Sequence, residues 1–414
     1  MKITLKKTIN LSLILEAFKE ITYYENNSVH YNSPFRLYEL KAILQSYINF
    51  PENISNISKN LIIDKTVGRI ASLNYDSDKF ETIINDELKN HLRTKRQKYF
   101  LLTSLSISSL PFRKIKINNS IITVKGKNFP KSFKENRYEL LKKHHLKDNS
   151  ENFIKIIVET ESNEYSNAFK ESLKNLDVLR AILNLSLNSN IEINYGSDIK
   201  QINKIRYGKY LTMHFENGET VNNYSYWWEP NFHNKIYELE KKNYEGLNKV
   251  VKWHLNRITK SKEKFKKSII YCLNLYVNAF DEPNKQNCFL KIWTALETLL
   301  STHQNDLIVK RCVTIYEEEY RPMQKQIIGA IKDYRNDFVH EGIEASRENL
   351  TTYCFKIQSF IRNILRYNHL QFYSSFDNIE QANIFLDKRR VGYYQQKKEI
   401  EMLRIIEKKI NTKS

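Results

Sequence analysis

From residue 234 onward, apolar positions recur every three or four residues. In 234–258 they are Ile236, Leu239, Leu247, Val250, Val251, Leu255 and Ile258, and in 263–280 Phe265, Ile269, Leu273, Tyr276, Val277 and Phe280. In 286–300 they are Phe289, Ile292, Trp293, Leu296, Leu299 and Leu300, and in 323–340 Ile327, Ile331, Tyr334 and Phe338. The last set, in 347–366, is Leu350, Tyr353, Ile357, Phe360, Ile361, Ile364 and Leu365. Each set lies along one side of a helix of 3.6 residues per turn, so each segment is expected to be helical with one buried face. Five such helices joined by short intervals are expected to pack as an antiparallel bundle. A further amphipathic stretch with a basic excess, 378–412, ends the sequence.

Upstream of Pro230 the pattern is mixed. "QKYFLLTSLSI" (97–107) and "RKIKINNSIITVKG" (113–126) are rich in β-formers, with Asn118-Asn119 as a hairpin turn. "NFIKIIVETES" (152–162) reads as a buried strand, and "KYLTMHFENGETV" (209–221) carries the turn pair Asn217-Gly218. Helices are expected over 36–49, over 164–187 and within the first twenty residues. The fold class is therefore an α+β N-terminal domain (1–230) followed by an all-α helical bundle (231–370) and a basic helical C-terminal extension (371–414). No fixed period marks a solenoid.

Composition narrows the picture. With 414 residues, 41% hydrophobic and 12% aromatic, the chain can bury more than one core and is not generally disordered. Its 66 Lys and Arg against 47 Asp and Glu leave a formal charge of +19, which favours a polyanionic partner. Part of that charge reflects a general richness in Lys, Asn and Ile. The cysteines Cys272, Cys288, Cys312 and Cys354 form no C-x-x-C pair and fall in helical segments, so buried free thiols are expected. Lys2, Lys6 and Lys7 precede an apolar run as in a signal peptide, but Glu16 interrupts it and the pattern continues as an amphipathic helix. No run approaches the roughly 18 apolar residues of a membrane span. A cytoplasmic protein with no membrane partner is expected.

The chemistry concentrates in "DYRNDFVHEG", 333–342. Gly342 follows the last periodic residue as a C-terminal cap, and His340 falls in the last turn, where the helix dipole favours a cation. Arg335 lies on one flank of the apolar stripe, while Asn336 and His340, four apart, share the polar side. A straight helix does not bring Arg335 and His340 together. Either the helix distorts near its end or a second subunit completes the site. The plain alternative is that Arg335 pairs with Asp333 or Glu341 and His340 ends a solvated face.

Arg335, Asn336, three further residues and His340 form an R-N-x-x-x-H pattern that resembles the signature of the HEPN superfamily of helical ribonucleases and nucleic-acid-associated modules. The preceding "FLKIWTALETLLS" (289–301), with Lys310-Arg311 between it and the motif, resembles the ApeA-like branch; the likeness covers roughly 235–370. The resemblance implies a HEPN bundle that dimerises and cleaves RNA, with tRNA one candidate, without a metal or other cofactor. In that chemistry the 2′-hydroxyl attacks the adjacent phosphorus, leaving a 2′,3′-cyclic phosphate and a 5′-hydroxyl. Carried over residue by residue, His340 is the general base or acid. Arg335 stabilises charge developing on phosphorus-bound oxygens. Asn336 orients His340 or donates to phosphate. One histidine cannot readily serve both ends of the reaction, and a two-fold dimer would bring two to one cleft. Glu297 is the next candidate, a carboxylate at the edge of an apolar face that needs a cation, supplied by Arg335 or Arg311. By analogy the setting is anti-phage abortive infection, with a phage-derived trigger or an antitoxin as further partner. The competing readings are a non-catalytic HEPN module that binds nucleic acid or protein, and the toxin of a two-gene pair.

Four other stretches carry weaker chemistry. "KKHHLK" (142–147) offers His144 and His145 to a metal, but adjacent helix residues point apart and a solvated basic face is expected instead. "HLRTKRQK" (91–98) reads as a solvated helix end. Trp227 and Trp228 in "YSYWWEPNF" are expected to bury as packing between the two parts of the chain, and "DKRRVGYYQQKK" (387–398) is a minor candidate for RNA contact. No Walker loop, GxSxG elbow or HExxH is present.

Overall fold

The computed structural model describes residues 2–25, 28–51, 54–188, 200–341, 347–389 and 400–404, without the side chains of Ile57, His340, Glu341, Arg347 and Glu348. The fold is mixed α/β, with many helices and a six-stranded sheet among the described residues. The chain divides into two compact units, Met1–Tyr99 with Thr160–Glu171, and Phe100–Glu159 with Ser172–Ser414.

The first unit is mainly helical. It contains β1 (Thr4–Leu5), α1 (Leu11–Glu20), β2 (Thr22–Glu25), β3 (Ser28–Tyr31), α2 (Pro34–Tyr47), β4 (Ile48–Asn49), α3 (Asn56–Ala71) and α4 (Ser77–Arg93). β1 pairs with β4 and β2 with β3, both antiparallel. The helix starts follow from side-chain chemistry: Asn10, Ser33, Ser55 and Asp76 each accept a hydrogen bond from a backbone N–H of the first turn. Phe18, Leu44, Ile70, Phe80 and Ile84 form the centre of its core.

In the second unit come β5 (Gln97–Leu105), β6 (Lys114–Ile117), β7 (Ser120–Gly126), α5 (Lys131–Lys143), β8 (Ile154–Ser162), α6 (Tyr165–Leu187), β9 (Tyr210–His214) and β10 (Tyr226–Trp228), the ends of β5, β8 and α6 belonging to the first. The sheet order is β10-β9-β5-β8-β7-β6. The β6–β7 hairpin turns at Asn118, whose φ of 51° is left-handed, a conformation asparagine tolerates. At Asn217-Gly218 the chain does reverse, with Gly218 at φ 93° and Phe215 N–H donating to the Glu219 carbonyl. A side chain at Gly218 would also strike the Ser132 backbone, 2.9 Å away. Past the turn, however, the pairing is a single bridge from Thr220 to His214, and the strands beside β9 are β10 and β5. That corrects the expectation for the tryptophans. They lie on an edge strand, and Trp228 is 63% exposed rather than buried.

Next come α7 (Tyr244–Lys260), α8 (Glu263–Phe280), α9 (Lys285–Leu300), α10 (Asn305–Thr314), α11 (Arg321–Glu341), α12 (Arg347–Ile364) and α13 (Ile379–Lys388). α9 is the central one, packed along α8 and α12, while α10 packs on α11. Its apolar face is wholly buried through Phe289, Ile292, Trp293, Leu296 and Leu299. All four cysteines are free and buried, Cys288 of α9 and Cys354 of α12 with sulfurs 3.7 Å apart. α10 does not stand out in the apolar pattern, and the buried stripe of α11 is centred on Ile328 and Ile331 rather than Ile327. A π-helical turn, Leu365–His369, extends α12. Among the described residues no helix is long and apolar enough to cross a membrane. Gly342, and most of the basic-aromatic stretch 387–398, lie outside the described residues.

Candidate functional site

The helix that carries the R-N-x-x-x-H pattern is continuous from Arg321 to Glu341. The backbone between Arg335 and His340 is helical throughout, and the residues just past the helix end lie outside the described ones. His340 sits in this helix, and its side chain lies outside the described residues.

Arg335 and Asn336 belong to a polar cluster where α11 faces the C-terminal end of α9 and the first turn of α10. Arg335 Nη2 lies 3.9 Å from Glu297 Oε1, and Arg335 Nη1 donates to Asn336 Oδ1 at 3.3 Å. The same Asn336 oxygen accepts from Asn305 Nδ2 at 3.1 Å. Glu297 is the pivot. Trp293, one helical turn earlier in α9, donates its indole N–H to Glu297 Oε1 at 2.8 Å. On the other oxygen, Oε2, His303 Nδ1 is 3.2 Å away. The Glu297 side chain is only 8% exposed, that of Arg335 27% and that of His303 89%. Glu297 is thus a buried carboxylate with three partners, not a solvated surface group.

The two arginines offered to Glu297 divide cleanly. Arg311 is buried and committed elsewhere, through Nε and Nη2 to Asp387 (2.7 Å at the closest) and through Nη1 to the Leu300 carbonyl. Arg335 is the one beside Glu297, and the described residues give it no partner besides Glu297 and Asn336.

Local structure explains why Glu297 is held so firmly. The last carbonyls of a helix have no partner within it and need one from outside. Ser301, left-handed at φ 48°, folds the chain back so that Ser301 and Thr302 N–H groups reach the Glu297 and Thr298 carbonyls. Asn383 Nδ2 and His369 Nε2 reach the Leu299 carbonyl, and Arg311 takes Leu300. The reversal at Ser301 delivers His303 next to the carboxylate that α9 carries. A cavity of about 360 Å³ opens here, lined by Glu297, Thr298, Thr302, His303, Ser268 and Tyr271 among others.

No family model, curated protein or solved structure matches this chain. The site is accordingly judged on its own chemistry. A guanidinium a quarter exposed, steered by a buried carboxylate and an amide, can present N–H donors to an anion. An imidazole in contact with a carboxylate at one nitrogen and exposed to solvent offers its ring to proton transfer. His303, Trp293 and Asn305 are the members the motif did not reveal. The available signal was the Trp-x-x-x-Glu spacing in α9, which puts an indole N–H over the carboxylate, with His-Gln-Asn following after Ser301 and Thr302.

The remaining candidates fall elsewhere. His144 caps α5, holds the Asn223 carbonyl at 2.6 Å and packs on Tyr226. Its neighbour His145 turns away in a left-handed conformation. Among the described residues no His, Cys, Asp and Glu cluster has the makings of a metal site.

Proposed function

We propose that the chain is a metal-independent HEPN-type endoribonuclease that cleaves RNA to 2′,3′-cyclic phosphate ends, acting as a homodimer in the cytoplasm. The helical part, 231–370, is the nuclease, 1–230 a sensing or recruitment domain, and 371–414 a basic extension. Arg335 stabilises the phosphorane, Asn336 orients, and His340 is the general base or acid. Arg311 supports from a distance by fixing the end of α9, and Glu297 steers Arg335 directly. The observation that carries this reading is that Glu297, which lines a cavity together with His303, lies between His303 and Arg335, and that Arg335 is on the helix that also bears His340. His303 offers a second imidazole on the same chain, which eases the demand that one histidine serve both ends of the reaction. Anti-phage abortive infection, with tRNA cleavage set off by a phage-derived trigger, is the biological setting we favour by analogy.

The test is incubation of purified protein with tRNA, with fragment ends assayed for cyclic phosphate. His340→Ala and Arg335→Ala should each abolish cleavage, and EDTA should leave it unchanged. Cleavage by His340→Ala at the wild-type rate would overturn the assignment. A second reading, a non-catalytic nucleic-acid-binding HEPN module, is favoured by the same ion pair, since a buried carboxylate also serves to pin an arginine in place. RNA binding that weakens steeply with salt, without cleavage, would select it. An antitoxin partner would show as growth arrest on expression that the neighbouring gene relieves.

A further inference from the structure

The basic run 142–147 belongs to a second cavity, remote in sequence from the site above. α5 turns one face toward it, through Lys134, Arg137, Tyr138, Leu141, Lys142 and, just past the helix end, His145. These positions recur at three and four residues, the spacing of a single helical side. Phe129 precedes the helix on the same wall, and the segment after it returns Lys147, Asp148 and Lys155. The cavity holds about 820 Å³, within the range of small-molecule sites. Its lining carries six Lys and Arg against two carboxylates, Asp148 and Glu151.

The floor is built rather than incidental. Arg137 is buried and anchored by Thr212 Oγ1 at 2.8 Å, the Tyr210 carbonyl at 2.9 Å and Asp148 at 2.9 Å. Lys155 is 8% exposed and donates to the Ser150 and Glu151 carbonyls at 2.7 and 3.1 Å. An ammonium has three donors, so one is left without a partner among the described residues. Burial lowers the Lys155 pKa to about 8. The fold therefore keeps a cation there against its solvation cost, which an incoming anion would offset. The rings are placed next to this charge. Arg137 lies over Phe129, 5.6 Å from its centroid, and Lys142 Nζ over the exposed Tyr138 at 5.8 Å. Lysines alone would describe any anion. Lysines interleaved with a half-buried Phe and an exposed Tyr describe an anion attached to a flat apolar group.

We propose that this cavity binds a nucleotide, its phosphates on the lysines of α5 and its base against Phe129 and Tyr138. It gives the N-terminal part of the chain a small-molecule ligand that is separate from any RNA substrate.

The experiment is equilibrium dialysis of the full chain against ATP, GTP, CTP and UTP singly, then against the nucleoside of the best binder and inorganic pyrophosphate. At least one nucleotide should bind with a dissociation constant below about 100 µM, with the nucleoside and pyrophosphate each at least about tenfold weaker. Lys134→Ala with Lys142→Ala, and separately Tyr138→Ala, should each weaken binding by about tenfold or more. All three residues are exposed, and unchanged melting temperatures of the free variants would exclude misfolding. Arg335→Ala should bind the nucleotide as the wild type does, which separates this result from the nuclease reading. Absence of nucleotide binding at 1 mM (about −4 kcal/mol) overturns the proposal. Pyrophosphate binding as tight as the best nucleotide does so too, as does binding of a short single-stranded RNA through these residues without any mononucleotide.

Discussion

Two arginines of the second unit sit beside carboxylates, and they are used in opposite ways. Arg180 of α6 is 1% exposed; its Nη1 lies 2.6 Å from Asp177, and Nη2 lies 2.8 and 2.7 Å from the two oxygens of Asp281, at the end of α8. Its guanidinium stacks 4.0 Å from the Tyr207 ring centroid, and Tyr207 in turn donates to Asp177 at 2.8 Å. Every strong contact is to the protein, which ties α6, α8 and the segment before β9 together. Arg335 has one carboxylate at 3.9 Å, a neighbouring amide and a surface exposed to solvent. The first arrangement spends the cation on the fold. The second holds the cation in place and leaves part of its hydrogen-bonding capacity for something else.

The sharpest way to break this contrast is to remove each cation. Arg180→Met leaves the buried Asp177 and the half-buried Asp281 without their shared guanidinium and should cost about 3–5 kcal/mol in urea unfolding. A loss under about 1 kcal/mol would show that the network does not hold these elements together. Arg335→Ala should change stability by less than about 1 kcal/mol, since its pair is long and partly solvated. On the proposed reading it should still abolish detectable RNA cleavage, a fall of at least about 10²–10³-fold. Large unfolding effects from both variants would erase the distinction.

How far the sequence alone discloses these features depends on what each buried face is made of. α8, α9 and α12 bury continuous apolar stripes, so spacing reveals them almost to the residue. α5 turns Arg137 inward where a leucine would have been legible, and its hydrophobic pattern is correspondingly silent. α3 carries Gly68 in its interior and the β-branched Ile62, Ile63, Thr66, Val67 and Ile70, which lower local helix propensity; packing in the first unit makes it helical. At the site, Arg335 and Asn336 are visible as a motif on one helix. The choice of Arg335 over Arg311 for Glu297 is a three-dimensional fact that chain order does not encode. Trp228 shows the reverse error: an aromatic pair reads as core, yet an edge strand leaves it exposed.

Protonation offers a milder handle on the structural side. His369 is buried against the Leu299 carbonyl behind α9, with Arg311 nearby, and burial pushes its pKa down to about 4. An unfolded histidine titrates near 6.5, so the unfolded chain binds this proton first as pH falls. The stabilisation is therefore complete above about 6.5 and is lost as pH falls from there through about 4. Between pH 7 and 4.5 the loss should be about 2–3 kcal/mol in urea unfolding, and His369→Phe should remove that part of the slope. An unchanged slope in the variant would mean that another group carries the acid sensitivity.

The smallest expected effect tests whether the open side of the site works as a unit. His303 is 89% exposed, so His303→Ala should leave unfolding within about 0.5 kcal/mol of wild type. If its imidazole moves a proton during cleavage, the rate at optimum pH should fall at least about tenfold and one limb of the pH–rate profile should flatten. His303→Gln keeps a polar group beside Glu297 but cannot titrate, so it should reproduce the flattened limb. An unchanged profile in both variants would hand the second proton-transfer role to the partner subunit. The Glu297–His303 pair would then share the character of the Arg180 network, a contact that fixes geometry and takes no part in chemistry.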